Sequence, residues 1–129
     1  MKKKVMVVDD EFDFLKIVKL NLEQAGEYEV MTLLNPKEII QKLHQFKPNI
    51  ILLDILMPQI GGLEACEMLN NDSLGKNIPI VILSALEKDE DKLRAYKVGV
   101  VDYLVKPIEK KDLIAKIEKA LKHKQEKNP

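Results

Sequence analysis

Three consecutive acids, Asp9, Asp10 and Glu11, follow directly on the apolar run KVMVV. Carboxylates that are packed together repel one another, and burial penalises the charged form of each. A divalent cation would offset this repulsion, and Mg²⁺ suits a small carboxylate cluster because it takes oxygen ligands and retains several waters. The run therefore predicts a metal site. The competing interpretation is a helix N-terminus, where acidic residues complement the helix dipole.

Three further polar residues each directly follow a later apolar run. Asp54 follows NIILL, Ser84 follows IPIVIL and Lys106 follows VVDYLV. An ionised aspartate beside a metal can attack phosphorus as a nucleophile, and a hydroxyl and an ammonium can hold phosphoryl oxygens. Taken singly, each of the three would be an ordinary turn or surface residue. Their shared position at the ends of apolar runs favours one common site.

Short apolar runs alternate along the chain with segments of helical period, which is the pattern of repeated βα units. Five runs are expected to be strands: KVMVV, YEVMTL, NIILL, IPIVIL and VVDYLV. Three of them are almost wholly apolar, as parallel strands are when helices cover both faces of a sheet. YEVMTL is more mixed and is expected at an edge. The pattern predicts an α/β fold with five strands and five helices.

The helical segments carry apolar residues at steps of three and four. The first helix is expected to end at Gly26. The second is expected to begin at Asn35 and Pro36, which suit an N-cap and a first helical position. The third is expected to begin near Leu63, and the last is expected to run toward the end of the chain.

The fourth helical segment, which begins near Glu87, differs from the others. It offers little for burial besides Leu93 and Tyr96. An element with few apolar contacts is easy to displace, so this helix is expected to be loosely held.

Length and charge limit the function classes. The 129 residues, of which 46% are hydrophobic, fit one globular domain. Lys and Arg together number 21, as do Asp and Glu, so the net charge of zero offers no attraction to nucleic acid or to an anionic membrane. No apolar run approaches the roughly 20 residues of a membrane span. The low cysteine content favours a reducing compartment, and the cytoplasm is the expected location.

The single cysteine and the two histidines are not expected to do chemistry. Cys66 shares a helical phase with Leu69 and is expected in the core. His44 and His123 lie in polar helical segments without partner ligands and are expected to be solvated.

Ligands of open parallel sheets bind at the carboxyl ends of the strands, where the polar residues above are expected to lie. The motifs occur in order along the chain: the pair Asp9–Asp10, DILMPQIGG at 54–62, LSA around Ser84, and DYLVKP at 102–107. This combination resembles the receiver domain of two-component response regulators over nearly the whole chain. The resemblance implies a flavodoxin-like, doubly wound (βα)5 fold with a five-stranded parallel sheet in the order 2-1-3-4-5. The receiver domain is expected at residues 1–122, with 123–129 a charged tail or the start of a linker.

The resemblance also implies a role for each strand-end residue. Mg²⁺ is held by three carboxylates and one backbone carbonyl, those of Asp9, Asp10, Asp54 and Leu56. Asp54 is the phosphoacceptor, and Ser84 and Lys106 contact the phosphoryl group. In this strand order Lys106 lies two strands from Asp54, about 10 Å away, so a long side chain is needed to bridge the gap. The Lys106–Pro107 peptide bond is expected to be cis.

Phosphorylation of Asp54 is implied to act as a switch. The phosphoryl group comes from a sensor histidine kinase or a phosphotransfer protein, after which Ser84 moves toward it and Tyr103 turns inward. The change alters the face made by the fourth helix, the fifth strand and the last helix. A downstream target that the sequence does not identify, or a weak homodimer, would use this face. The domain would catalyse its own phosphorylation and dephosphorylation without being a turnover enzyme, and direct contact with nucleic acid or membrane is not expected.

Two departures from the family pattern lead to more specific expectations. Leu56 and Leu86 lie two positions beyond the phosphoacceptor and the serine. Neither side chain can orient a water, so autodephosphorylation is expected to be slow. On the output face, Val101 stands where the dimerising branch usually has an acid. This leaves Asp102 and Lys116 for cross-subunit pairs and argues against a strong dimer.

Three other classes of protein use similar parts. A haloacid dehalogenase-type phosphohydrolase also has an aspartyl nucleophile, but it needs a second acid two residues on, where this chain has Leu56. A flavin-binding flavodoxin needs a loop rich in hydroxyls and glycine after the first strand, where DDEF would repel phosphate. A non-phosphorylated scaffold that only binds proteins stays open as an alternative. A Mg²⁺-dependent reaction with acetyl phosphate would separate it from a phosphoacceptor.

Overall fold

Five parallel strands form one sheet in the order β2-β1-β3-β4-β5. The computed structural model describes residues 2–55, 61–84, 93, 96–97 and 99–127. Within these ranges the elements are β1 (Lys3–Val8), α1 (Phe12–Gln24), β2 (Tyr28–Leu33), a 3-10 turn (Pro36–Glu38), α2 (Ile39–Phe46), β3 (Ile50–Asp54), α3 (Gly62–Asn70), a 3-10 turn (Gly75–Asn77), β4 (Ile80–Ser84), β5 (Asp102–Val105) and a C-terminal helix (Lys110–Lys127). The order confirms the predicted flavodoxin-like fold, with YEVMTL at an edge as β2.

The central strand β3 shows why the apolar runs become parallel strands. Its residues Ile50, Ile51, Leu52 and Leu53 are all fully buried. Successive side chains of a strand point to opposite faces of the sheet. Ile51 and Leu53 accordingly pack in one core with α2 and α3, whereas Ile50 and Leu52 pack in a second core with α1 and the C-terminal helix. The two cores fix the strand ends on which the polar residues lie.

The ends of the first two helices follow the sequence signals in part. The backbone of Gly26 has a φ of +87°, a conformation that glycine adopts without strain, just after α1. The side chain of Asn35 accepts a hydrogen bond of 3.0 Å from the Lys37 N–H, so the predicted cap is present. The prediction of an α-helix from Pro36 was wrong by one turn. A tighter 3-10 turn comes first, as is frequent at helix N-termini.

Of the fourth predicted helix, the structure describes positions 93, 96 and 97, which are helical. Leu93 and Tyr96, the two side chains expected to be buried there, are 57% and 47% exposed. Neither of these two side chains is buried. The weak attachment of this helix to the rest of the domain stays a prediction.

The C-terminal helix runs without interruption through Lys127. It therefore continues across the expected boundary between residues 122 and 123. The division of the chain into a receiver domain and a tail at that boundary stays a prediction. None of the helices in the described part of the chain is long and apolar enough to cross a membrane.

The predictions for Cys66 and His44 concern how far each side chain is buried. Cys66 is fully buried in the core, as expected. His44 is exposed, as expected, and its Nε2 lies 2.9 Å from a carboxylate oxygen of Asp72, a contact that the sequence did not indicate. Asp72 also accepts hydrogen bonds from the backbone N–H groups of Leu74 and Gly75. The imidazole and these N–H groups hold the pKa of the Asp72 carboxyl below its ordinary value.

A polar cluster closes the amino end of the sheet. The hydroxyl of Tyr28, a residue that is only 1% exposed, donates a hydrogen bond to the Glu118 carboxylate. The ammonium of Lys3 lies 3.2 Å from the second oxygen of the same carboxylate. The Tyr28 hydrogen bond and the lysine hold the pKa of Glu118 below its ordinary value. This cluster joins β1 and β2 to the C-terminal helix.

Candidate functional site

Four carboxylates meet at the carboxyl end of the sheet. Strands β1 and β3 are neighbours, with Val8 opposite Leu53, so the residues that follow these two positions, Asp9 and Asp54, come together. One carboxylate oxygen from each of four acids lies within 4.8 Å of the others, namely Asp9, Asp10, Glu11 and Asp54. Asp9 and Asp54 are 0% and 5% exposed, whereas Asp10 and Glu11 are open to solvent. The cluster thus has a buried floor and an exposed rim.

Lys106 brings one positive charge to these acids. Its Nζ lies 2.6 Å from Asp9 Oδ2, 2.9 Å from Glu11 Oε1 and 3.6 Å from Asp54 Oδ2. The long side chain starts beyond the end of β5, two strands from β3, and its reach matches the gap expected from strand spacing. The Lys106–Pro107 peptide bond is cis.

The pKa values of Asp9 and Lys106 reflect both their burial and the charged groups around them. Burial raises the pKa of Asp9, although hydrogen bonds from Lys106 and from the Glu11 N–H oppose this. Burial alone would lower the pKa of Lys106, but its hydrogen bonds to Asp9 and Glu11 and the charge of Asp54 outweigh it, so the pKa is raised. The Asp9 carboxyl and the Lys106 ammonium thus both have a raised pKa. An added cation would offset the negative charge of such a cluster.

The remaining residues expected at the site are described to different extents. Ser84 ends β4 opposite Val105 of β5, and its side chain lies outside the described part of the chain, as do Leu56 and Leu86. The slow autodephosphorylation expected from the two leucines stays a prediction. Tyr103 is 7% exposed and packs in the core shared with α2 and α3, and its inward turn on phosphorylation stays a prediction.

The charged pair on the predicted output face lies within one chain. Lys116 Nζ is 2.9 Å from Asp102 Oδ1, and the same oxygen accepts a hydrogen bond from the Tyr103 N–H. Asp102 is on β5 and Lys116 is on the C-terminal helix. The two charges that were considered for a cross-subunit contact therefore compensate one another inside the domain.

Gly62, at the start of α3, packs directly against the backbone that carries Asp54. A Cβ at this position would lie 2.4 Å from the Asp54 carbonyl oxygen and 2.4 Å from the Ile55 Cα. The Gly62 N–H also donates a 3.0 Å hydrogen bond to the Ile55 carbonyl. By contrast, a Cβ at Gly61 would meet nothing within 4 Å. The second glycine of the IGG motif is therefore the one that the site requires.

Sequence reasoning missed two contacts of Lys106. Glu11 was counted among the acids but given no role, yet it forms one of the two shortest ion pairs of the ammonium. The ring of Phe14 lies under the same ammonium, at 4.2 Å from Nζ to the ring centroid, a distance typical of a cation–π contact. The spacing of Glu11 and Phe14, one helical turn apart, was the available signal.

A flavodoxin-like domain with this acid and lysine cluster has well-defined relatives. Residues 5–118 match the family described as the response regulator receiver domain. The chain is 34% identical over 122 residues to the alkaline phosphatase synthesis transcriptional regulatory protein PhoP of Bacillus subtilis (strain 168), covering 95% of this chain and 50% of that protein. It is 36% identical over 121 residues to the probable transcriptional regulator ycf27 of Guillardia theta, covering 94% and 46%. The chemotaxis protein CheY4 of Vibrio cholerae, a solved structure, has a TM-score of 0.88 at 29% identity, covering 93% of this chain and 99% of that one.

The chain therefore belongs to the family of response regulator receiver domains. It spans about half the length of the curated relatives it matches. Receiver domains in general are phosphorylated on an aspartate and bind Mg²⁺ at an acidic pocket.

Proposed function

We propose that this domain accepts a phosphoryl group on Asp54, in a Mg²⁺-dependent reaction, from a phosphohistidine of a sensor histidine kinase or a phosphotransfer protein. One observation carries the proposal: the Asp54 carboxylate meets Asp9, Asp10, Glu11 and Lys106 at a single edge of the sheet. Surface residues with separate structural roles have no reason to converge in this way. Membership of the receiver family supports the same assignment.

The residues present suit Mg²⁺. They offer carboxylate oxygens within 4.8 Å of one another, which are ligands of the kind that this ion takes. The exposed rim leaves room for the waters it retains. Asp9, Asp10 and Asp54 would hold the ion, together with the backbone carbonyl of Leu56, which lies outside the described residues. When bound, the ion would neutralise negative charge on the phosphoryl oxygens.

The protein's own part in the reaction follows from the positions of its charged groups. An oxygen of the ionised Asp54 forms a bond to phosphorus while the P–N bond of the phosphohistidine breaks, and the electron pair stays on the imidazole nitrogen. Lys106, with its pKa raised, remains an ammonium that attracts the phosphoryl oxygens. Asp54 is 5% exposed, so its nucleophilic oxygen carries little competing hydration.

The structural change that follows phosphorylation would occur on the side of the domain that carries β5. A phosphoryl group brings close to two negative charges, and Lys106 directly follows β5 in sequence. Tyr103 and Asp102 lie on the same strand, and Asp102 is tied to the C-terminal helix through Lys116. We propose that movement of Ser84 and Lys106 toward the phosphoryl group alters the face formed by the fourth helix, β5 and the C-terminal helix.

The test is intact-protein mass spectrometry after incubation with acetyl phosphate, with Mg²⁺ and with excess chelator. We expect a Mg²⁺-dependent gain of one phosphoryl group in the wild type and in the control Asp72→Asn, and no gain in Asp54→Asn. Asp72 is a suitable control because it is a hydrogen-bonded aspartate in another part of the domain. A wild type that gains no mass with Mg²⁺ would leave the protein-binding scaffold as the better explanation.

A further inference from the structure

The first turn of α1 holds the Lys106 ammonium more closely than the proposed phosphoacceptor does. The distance from Nζ to Glu11 Oε1 is 2.9 Å, that of a hydrogen bond, whereas the distance to Asp54 Oδ2 is 3.6 Å, which is too long for one. The Phe14 ring adds a contact at 4.2 Å from the same turn. In this state the ammonium is therefore held mainly by Asp9 and by α1.

We propose that Glu11 is a positioning residue that retains Lys106 at α1 in the resting state and competes with the phosphoryl group for its ammonium. The inference rests on the proposed function, because it concerns what Lys106 does when Asp54 is modified. Phosphoryl oxygens on Asp54, which ends β3, would offer the ammonium anionic partners that compete with Glu11. Glu11 is the contact that the ammonium gives up.

The exposure of the partners indicates which contact is released. The Glu11 side chain is 64% exposed, whereas that of Asp9 is 0% exposed. A solvent-exposed carboxylate that loses its partner is hydrated again at little cost, but a buried one is left uncompensated. The ion pair with Glu11 thus holds Lys106 weakly and reversibly. Asp9 stays paired with Lys106 or binds the metal.

Loss of the Glu11 charge should favour the phosphorylated state. Because exposed ion pairs contribute little, we expect Glu11→Gln to bind beryllofluoride, a phosphoryl mimic, about two- to fivefold more tightly than wild type at saturating Mg²⁺. If Glu11 acted chiefly through the metal, the substitution would instead weaken binding. The two roles therefore predict opposite signs.

The experiment is a beryllofluoride titration followed by amide NMR, with Mg²⁺ saturation first established separately for each variant. Asp13→Asn is the matched control, since Asp13 is an exposed acid in the same turn and is not among the described partners of Lys106. We expect its dissociation constant to equal that of the wild type. An unchanged or larger dissociation constant for Glu11→Gln would overturn the proposal.

A double-mutant cycle with Lys106→Met tests whether the effect passes through the ammonium. In that background Glu11→Gln should no longer change the dissociation constant, which NMR can follow at millimolar beryllofluoride. If Glu11→Gln still tightens beryllofluoride binding in the Lys106→Met background, or if Asp13→Asn tightens it equally, the effect is a general one of charge. Either result would contradict a positioning role. Absence of beryllofluoride binding by the wild type is a different result, because it would contradict the proposed function itself.

Discussion

The carboxylates at the two ends of the sheet lie in opposite electrostatic environments. At the amino end, a single carboxylate, that of Glu118, receives a hydrogen bond from Tyr28 and an ion pair from Lys3. At the carboxyl end, three carboxylates share the one ammonium of Lys106. The pKa of Glu118 is lowered by its partners, whereas that of Asp9 is raised by burial. The carboxylate charge at the amino end of the sheet is thus compensated by its partners. At the carboxyl end the negative charge exceeds the positive charge of Lys106.

This contrast in carboxyl pKa indicates which end of the sheet is suited to bind a cation. A lowered carboxyl pKa means that the folded state favours the charged form, and a raised one means that it disfavours it. The amino end contributes stability by itself. The carboxyl end carries a cost that a bound cation can remove, which is how functional sites commonly depart from the most stable arrangement.

Asp9→Asn should have the largest effect on this contrast. Loss of a ligand should weaken Mg²⁺ binding by at least about tenfold. In Mg²⁺-free buffer the same change removes a disfavoured buried charge, so we expect the free energy of unfolding to rise by about 0.5–2 kcal/mol. Isothermal titration with Mg²⁺ and urea denaturation measure the two quantities. A variant that is less stable than wild type without metal would show that the Asp9 charge is not disfavoured in the folded state.

Gly62→Ala should disturb the carboxyl end through the backbone. The added Cβ would clash with the Asp54 carbonyl oxygen at 2.4 Å, and overpacking of this kind costs about 1–3 kcal/mol. We expect that loss in denaturant unfolding, together with weaker Mg²⁺ binding because Asp54 is displaced. Gly61→Ala is the matched control, and it should stay within about 0.5 kcal/mol of wild type. Equal effects of the two substitutions would show that the close approach at Gly62 is not important.

Glu118→Gln should have a smaller effect, opposite in sign to that of Asp9→Asn. The amide can still accept the Tyr28 hydrogen bond but loses its charge, and the carboxylate is 43% exposed, so the cost at neutral pH should be below about 1 kcal/mol after solvent screening. Mg²⁺ binding should not change.

The pH dependence of this loss is fixed by the lowered pKa of Glu118. A carboxyl with a depressed folded-state pKa contributes stability that is complete above its unfolded value of about 4.3 and disappears as the pH falls through the folded value. The difference in unfolding free energy between wild type and Glu118→Gln should therefore close below about pH 4. A difference that grows on acidification would contradict the assigned sign.

The sequence was sufficient for the fold and for most of the candidate site, for identifiable reasons. The unbroken apolar run of β3 can only be buried on both faces, and residues that end parallel strands must meet at one edge, which was enough to bring Asp9, Asp54 and Lys106 together. It was not sufficient for contacts that depend on rotamers. Whether Lys106 leans toward Glu11 or Asp54, and whether His44 reaches Asp72, depends on side-chain torsions that periodicity does not encode.

We propose above all that the carboxyl end of the sheet, and not the amino end, is a magnesium site beside a reactive Asp54. The most direct test is a Mg²⁺ titration of the ¹⁵N-labelled domain, with amide shifts read at both ends of the sheet. We expect saturable shifts for Asp9, Asp10 and Asp54 that Asp9→Asn abolishes or greatly weakens, and unchanged signals for Tyr28 and Glu118. Shifts of similar size at the two ends, or none at the carboxyl end, would contradict this proposal.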